Sequence, residues 1–295
     1  MTVDDTAVEA FAAHRELLFS VVYNLLGSVA DTEDVLQDAW LAWAARCSAP
    51  GAAEIGNPRA YLVRVAVNTA LARQSSVHRR RETYVGPWLP EPVVTGDDTA
   101  ERVEAVSMAL LVVLETLTPL ERAVFVLNEV FGYAHAEIAE ILERSPSAVR
   151  QLAHRAREHV RARRPRYSTD RRLQRRVTER FIAAALGGDL AALLELLAPD
   201  VVLWSDGGGK ARSALRPVRG RGNVARVIAG VAARRVAEDV DVRYRTVNGD
   251  PSAVLFDHDA PFAVMVLDLS EDGSTVAGVY TVLNPDKLNG VTEDP

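Results

Sequence analysis

Between Thr118 and Arg166 the chain carries three short helix signals in close succession, and few folds admit that pattern. Thr118-Pro119-Leu120-Glu121 is a helix start: a threonine N-cap, proline at the first helical position and glutamate three residues after the cap. Leu120, Val124, Leu127 and Phe131 recur at helical spacing, and Gly132 follows. A second short helix turns Ile138, Ala139, Ile141 and Leu142 inward. Glu143-Arg144 makes the turn, and Ser145-Pro146 caps a third helix. In that helix Val149, Leu152, Ala153 and Ala156 form one apolar stripe. The same geometry points Ser147, Arg150, Gln151, His154 and Glu158 outward, with Arg155 and Arg157 on the flanks. Short capped helices ending in a basic one make a helix-turn-helix. Its last helix suits a major groove, where Arg and Gln read base edges and flanking Arg hold phosphates. The plainer alternative is a solvated face on a helical bundle.

At 295 residues two or three domains are expected. The net charge of -6 argues against a general nucleic-acid coat protein, but DNA responds to local fields. From Arg144 to Arg166 every charged residue except Glu158 is arginine. Cys47 is the single cysteine, which leaves no internal disulfide and no Cys-based zinc site. No signal peptide and no membrane span is visible, so a reducing cytoplasm is the expected home. No metal site and no cofactor is expected.

Residues 11–82 read as helices, interrupted at Gly27-Ser28. Asp31 reads as the N-cap of the next helix, with Asp34 favouring its dipole. Ser48–Asn57 reads as a loop, and Pro58 opens a helix ending in Arg79-Arg80-Arg81. Residues 83–100, with their Pro, Gly and Asp97-Asp98, read as a linker. Helices resume at Glu101. Beyond Pro165 two helices (171–187 and 189–197) lead into strands at 201–204, 242–247, 253–256, 262–269 and 276–283, interrupted by a helix near 222–235. This predicts an α+β domain with helices on one face of a curved antiparallel sheet.

Several blocks together resemble a bacterial RNA polymerase sigma factor of the extracytoplasmic-function (ECF) type. Asp31 to Trp40 (DTEDVLQDAW) is similar to the family's helix that docks on the polymerase clamp. Its Asp31, Asp34 and Asp38 share one face and offer acid to a basic partner. The resemblance implies core-polymerase binding by Asp31, Asp34, Gln37 and Asp38. Asn57-Pro58-Arg59-Ala60-Tyr61-Leu62 and Asn68 resemble the segment that opens and reads the minus-ten element, and Thr118–Arg157 the minus-thirty-five module. Gln74-Ser75 depart from the apolar-then-basic pair typical there. Tyr84-Val85-Gly86-Pro87-Trp88-Leu89-Pro90-Glu91-Pro92 resembles the linker signature of the SigJ-like subgroup, which carries a fused SnoaL-like, NTF2-like domain. Asp206-Gly207-Gly208-Gly209-Lys210 and Asn284-Pro285-Asp286-Lys287-Leu288 match that subgroup's two other signatures.

The expected architecture is therefore multidomain: two all-α sigma modules, the second with the helix-turn-helix, and an α+β NTF2-like cone with a curved antiparallel sheet. The expected boundaries are 1–85, a linker over 86–104, 105–168 and 169–295. DNA contacts are expected from Asn57, Arg59, Arg64, Asn68, Arg79, Arg80 and Arg81 in the first module, and from Ser147, Arg150, Gln151, His154 and Arg155 in the second. Trp88, between two prolines, reads as an anchor on the last domain, with Asp206, Lys210, Lys287 and Leu288 as regulatory contacts. No catalytic residue is assigned. Were Asp257-His258-Asp259 extended, His258 would point away from both neighbours, and no dyad would form. A pocket for an unidentified small molecule stays open. Two other readings compete: a ligand-responsive helix-turn-helix regulator with the NTF2-like domain as sensor, which has no use for the acidic helix, and an NTF2-like enzyme with a helical extension.

Overall fold

The computed structural model describes residues 5–49, 55–95, 106–163, 170–235 and 240–291. Part of the Ser48–Asn57 loop, Asp97-Asp98, the helix onset at Glu101 and the boundary at Pro165 lie outside them. The chain divides into two compact units. One comprises residues 1–82, 101–106 and 113–164; the other comprises 83–100, 107–112 and 165–295. Residues 83–85, read with the first module, thus group with the last domain.

The first unit is helical. Its first module holds α1 (Asp5–Ala12), α2 (Arg15–Leu26), α3 (Val29–Cys47) and α4 (Pro58–Glu82). Gly27 ends α2 in the left-handed conformation (φ 67°), and its N–H returns to Tyr23 O. The N-cap of α3 is Ser28, whose hydroxyl accepts from Asp31 N at 3.3 Å. Asp31 therefore lies in the first turn rather than at the cap: with α2 closed by Gly27, the next hydroxyl takes the orphan N–H groups. Leu62, Val63, Ala66, Val67 and Ala70 bury one face of α4.

The next helix, α5 (Met108–Leu114), is divided, its residues up to Val112 grouping with the other unit. The second module holds α6 (Pro119–Phe125), a π-turn over Val126–Val130, α7 (His135–Ile141) and α8 (Pro146–Arg163). Thr118 and Glu121 form the expected reciprocal capping box at α6. The π-turn inserts a residue, so Val126 and Leu127 are both fully buried while Phe131 is only partly so. The inward residues of α7 and α8 are those the periodicity predicts, from Ile138 to Ala156.

The second unit is a seven-stranded sheet with α9 (Arg171–Leu186), α10 (Leu190–Leu196) and α11 (Arg221–Arg235). The strands are β1 (Val94–Thr95), β2 (Leu197–Asp206), β3 (Val218–Arg219), β4 (Val240–Val247), β5 (Asp250–Asp257), β6 (Ala260–Leu269) and β7 (Val276–Val282), in the order β1-β4-β5-β6-β7-β2-β3. All pairs are antiparallel except β2 with β7. Register shifts after Leu197, Leu255 and Asp268 supply the bulges that curve such a sheet. Asn248 and Gly249, both at positive φ, close the β4–β5 hairpin.

Both faces of this sheet are covered. Ala253 and Leu255 pack under α9–α11 with Phe181, Leu193 and Val224. Val254 and Phe256, one residue out of phase, pack on the other side with Leu89, Met108, Ala109, Leu288 and Val291. The segment after α4 is thus not a free linker. It adds the edge strand β1, paired to β4 through Val94–Val247 and Thr95–Thr246, and buries Leu89 completely. Burying a leucine contributes about 1.5–3 kcal/mol.

Candidate functional sites

In α8, Ser145 caps the helix through Ala148 N at 3.2 Å, and the apolar stripe fixes the roll. Ser147, Arg150, Gln151, His154 and Arg155 are all exposed. Among the described residues Arg150, Gln151 and His154 make no hydrogen bond or ion pair, so their donors are available to a ligand. Arg155 is tied at 3.0 Å to Glu121, the capping-box glutamate of α6. Arg157 is drawn back to Glu129 at 2.5 Å and Asn128 at 2.8 Å.

The acidic face of α3 is compensated from within the same module. Arg73 of α4 bridges Asp34 at 2.7 Å and Asp38 at 3.1 Å, and Arg80 reaches Asp31 at 2.5 Å. Asp34 and Asp38 keep about half their side-chain surface, whereas Asp31 is 14% exposed. The ridge is therefore half-neutralised rather than freely acidic. Gln37 is exposed beside it.

The α4 candidates divide. Asn57 is the N-cap, accepting from Ala60 N at 3.0 Å. Arg64 lies over the Tyr61 ring at 5.6 Å and is exposed; Arg79 is exposed. Arg59 lies over the Tyr133 ring at 5.4 Å, and Asn68 donates to Ile141 O at 3.0 Å, both reaching the second module. Arg81 departs from the expected solvated phosphate contact. It is largely buried against Leu26 O and Glu115, and Glu115 also pairs with the fully buried Arg122. Burial pulls both guanidinium groups down to about 9, and their mutual repulsion adds to the effect on Arg81. The triplet run Arg79-Arg80-Arg81 is thus three different environments.

In the second unit the three signatures meet at one node. Asp206, the last residue of β2, is fully buried. Its Oδ1 accepts from Tyr84 Oη at 2.5 Å; its Oδ2 accepts from Leu89 N and from Lys287 Nζ, each at 2.8 Å. Lys287, 7% exposed, also donates to Leu89 O at 2.5 Å, and its ammonium lies 4.2 Å from the Trp88 ring centroid and 5.0 Å from that of Tyr84. Asn284 caps the Pro285–Lys287 turn and donates to Tyr84 Oη at 2.8 Å. Burial first, then the Asp206 bond, pushes the Tyr84 hydroxyl upward, so it stays a donor. Leu288, Pro90 and Pro92 are buried, while Glu91 is partly exposed.

The glycines explain themselves here. Gly208 (φ 56°) has Asn284 and Tyr84 Oη where a Cβ would go; Gly209 (φ 73°) has Val85; Gly207 has Ala211 O and Ser213. The pairing differs from the sequence grouping. Asp206 and Lys210, adjacent in one loop, do not pair: Asp206 holds Lys287, and Lys210 holds Asp286 at 2.6 Å on the surface. Tyr84 was part of the signature without a role. Its phenol is the central donor, and only its distant partners identify it.

The Asp257–His258 pair also departs from expectation. His258 sits at φ 55°, and this turn folds its ring back so that Nδ1 lies 2.8 Å from Asp257 Oδ1. The pair is formed but exposed, with the imidazole 90% accessible, at the tip of a hairpin. Among the described residues no cluster of three potential metal ligands occurs, and no helix is long and apolar enough to cross a membrane.

Three family models match the chain: sigma-70 region 2 over residues 10–81, sigma-70 region 4 over 107–160 and a SnoaL-like domain over 178–284. The ECF RNA polymerase sigma factor SigJ of Mycobacterium tuberculosis (strain ATCC 25618 / H37Rv) is 39% identical over 296 residues, covering 96% of this chain and 93% of that protein. The probable ECF sigma factor SigI of the same species is 35% identical over 207 residues, covering 68% and 70%. The crystal structure of M. tuberculosis SigJ superposes with a TM-score of 0.75 at 36% identity, covering 96% of this chain and 98% of that one. The chain belongs to the ECF RNA polymerase sigma factors: it is a promoter-specific transcription-initiation factor in which two sigma modules are followed by a SnoaL-like domain.

Proposed function

We propose that the half-neutralised face of α3 (Asp31, Asp34, Gln37, Asp38) binds core RNA polymerase in the cytoplasm. The α4 residues Asn57, Arg59, Arg64, Asn68 and Arg79–Arg81 engage the minus-ten element. Ser147, Arg150, Gln151, His154 and Arg155 engage the minus-thirty-five element. The SnoaL-like domain acts without catalysis, as a regulator in cis, by holding the segment between the sigma modules.

The buried Asp206–Lys287–Leu89 node carries this reading, because it changes the reach of the tether. Residues 83–107 separate α4 from α5, and fully extended they span about 85 Å. With Tyr84 to Thr95 held on the sheet and Met108 in its second core, the chain between the held parts is residues 96–107, whose contour is about 40 Å. The two promoter elements lie roughly 25 base pairs, or about 85 Å, apart. A held tether restrains the span, and a released one permits it. A small molecule that favours one state would shift the balance.

Run-off transcription with purified core polymerase tests the reading. The full chain should start specific transcripts. Truncation before Asn284, or Lys287→Met, should raise output without loss of polymerase binding. Arg150→Ala or Gln151→Ala should weaken promoter binding by about 1–3 kcal/mol. No specific transcript from any promoter would end the sigma assignment of these surfaces, and equal output from the full and truncated chains would end the regulatory one.

A further inference from the structure

Three carbonyl oxygens at the C-terminal end of α2 are held by side chains from elsewhere in the helical unit. Asn24 O accepts from Arg122 Nε at 2.9 Å, Leu25 O from Gln74 Nε2 at 3.3 Å, and Leu26 O from Arg81 Nη2. Tyr23 O takes the Gly27 N–H, so all four carbonyls that a helix end leaves unbonded are satisfied. That end carries partial negative charge, which favours guanidinium groups. Gln74 and Arg81 come from α4, in the same module as α2. Arg122 comes from α6, in the other one.

The cross-module contact is costly to leave half-made. Arg122 is 2% exposed, and its charge is met by Glu115, which pairs with Arg81 as well. A buried guanidinium is stable only with such partners. Two more contacts join the modules: Asn68 to Ile141 O at 3.0 Å, and Arg59 over Tyr133. Ile141 ends α7, which packs on α8, and α8 is only about 27 Å long. The α4 and α8 candidates are therefore held within a few tens of ångströms, far short of the roughly 85 Å between promoter elements.

We infer that the carbonyl end of α2 is a docking point for Arg122 that clasps the two sigma modules together, and that the clasped form withholds Asn68 and Arg81 from DNA. The withholding rests on the minus-ten role proposed above for those two residues; the clasp does not. It is a contact distinct from the Asp206 node, and it acts directly between the modules. Promoter binding must break it, rehydrating Arg122 and freeing Asn68 in one event.

Cys47, the single cysteine, is exposed, and so is Glu158. The full chain carrying Glu158→Cys, labelled with a donor–acceptor pair, reports the separation of the modules by single-molecule energy transfer. The free protein should show one dominant population that moves to lower transfer on adding core polymerase and a fragment bearing its mapped promoter. Arg122→Met and Glu115→Gln should each raise the open-to-closed ratio of the free protein about ten- to a hundredfold, as expected for losing a charge-assisted bond. Gln74→Met, which touches the same carbonyl row from within one module, should leave the ratio within about threefold. Should Arg122→Met fail to fold, Glu115→Gln decides, since Glu115 keeps part of its surface and its amide is isosteric. Unchanged transfer in the folded variants, or a free protein already as open as the promoter complex, overturns the clasp. Opening without tighter promoter binding overturns the withholding, and with it the minus-ten role of Asn68 and Arg81, while the clasp itself stands.

Discussion

Replacing Lys287 by methionine is the sharpest test of the node in the SnoaL-like unit. Methionine refills most of the aliphatic stem but cannot donate. The loss is then the ammonium alone: its bonds to Asp206 Oδ2 at 2.8 Å and Leu89 O at 2.5 Å, and its placement over Trp88 and Tyr84. Asp206 stays fully buried and keeps two donors, Tyr84 Oη and Leu89 N. Removing one partner of a buried ion pair costs about 3–5 kcal/mol, because the other charge is left uncompensated. The two remaining hydrogen bonds place this case at the low end, about 3 kcal/mol. The Leu89 amide reports that cost, since it is hydrogen-bonded to the same carboxylate. At 1.4 kcal/mol per decade, hydrogen exchange over residues 84–93 should speed up about a hundredfold. Asp206→Asn added to Lys287→Met removes both charges and should restore much of the protection, leaving a coupling of about 2 kcal/mol in the double-mutant cycle. Exchange within threefold of the parent in Lys287→Met, or strictly additive losses in the double variant, would show that the pair does not hold the linker.

Three other outcomes follow from single residues. Gly208→Ala combines a left-handed backbone with a Cβ placed on Asn284 and Tyr84, and should destabilise the sheet unit by about 1–2 kcal/mol in urea titration, with β2 and β7 still paired. Thr118→Ala removes the capping box that starts α6 and should cost about 1 kcal/mol in thermal unfolding of the helical unit, where Thr118→Ser should cost much less. In the β6–β7 turn, the Ser270 hydroxyl and then the Ser274 amide and hydroxyl hold the Asp272 carboxyl down, to about 2 from its ordinary 3.8. The contribution of that turn is therefore complete above pH 4 and fades as pH falls from 3.8 through about 2; an NMR titration of Asp272 with its midpoint near 4 would refute it.

Local signals were legible where neighbours in sequence are also neighbours in space. The capping box at Thr118, the stripe from Val149 to Ala156 and the outward set from Ser147 to His154 depend on helical geometry alone, and all are found. The cap at Ser28 was misplaced by one turn because Ser28 and Asp31 are both good caps, and only the left-handed Gly27 selects between them. The strands β1 and β3 are two residues each, too short for periodicity, and exist only because β4 and β2 offer open edges. Asn248-Gly249 carries a hairpin signal that the strand reading left unused. Charges were the least legible. Asp31, Asp34 and Asp38 advertise a free acidic face, but Arg73 and Arg80 stand one helix away. Asp206 and Lys210 look like partners across four residues, yet each is paired with the last signature instead, because Asp206 ends an inner strand beside β7 while Lys210 lies outside it.

The two faces of the sheet give the linker its energetic character. Val254, Phe256, Val264, Val266 and Val282 bury themselves under Leu89 of the linker, Met108 at the start of α5, and Leu288 and Val291. Detaching the linker uncovers that row at the same time as it strips Leu89 from the Asp206–Lys287 pair. Apolar exposure and an unpaired buried charge then arise together, so neither half of the contact lowers the cost of losing the other. Such a segment releases as a unit rather than fraying. Under the regulation in cis proposed above, that cooperativity would make release all-or-none, so that a modest bias on the node would change which promoter spans the sigma modules can reach.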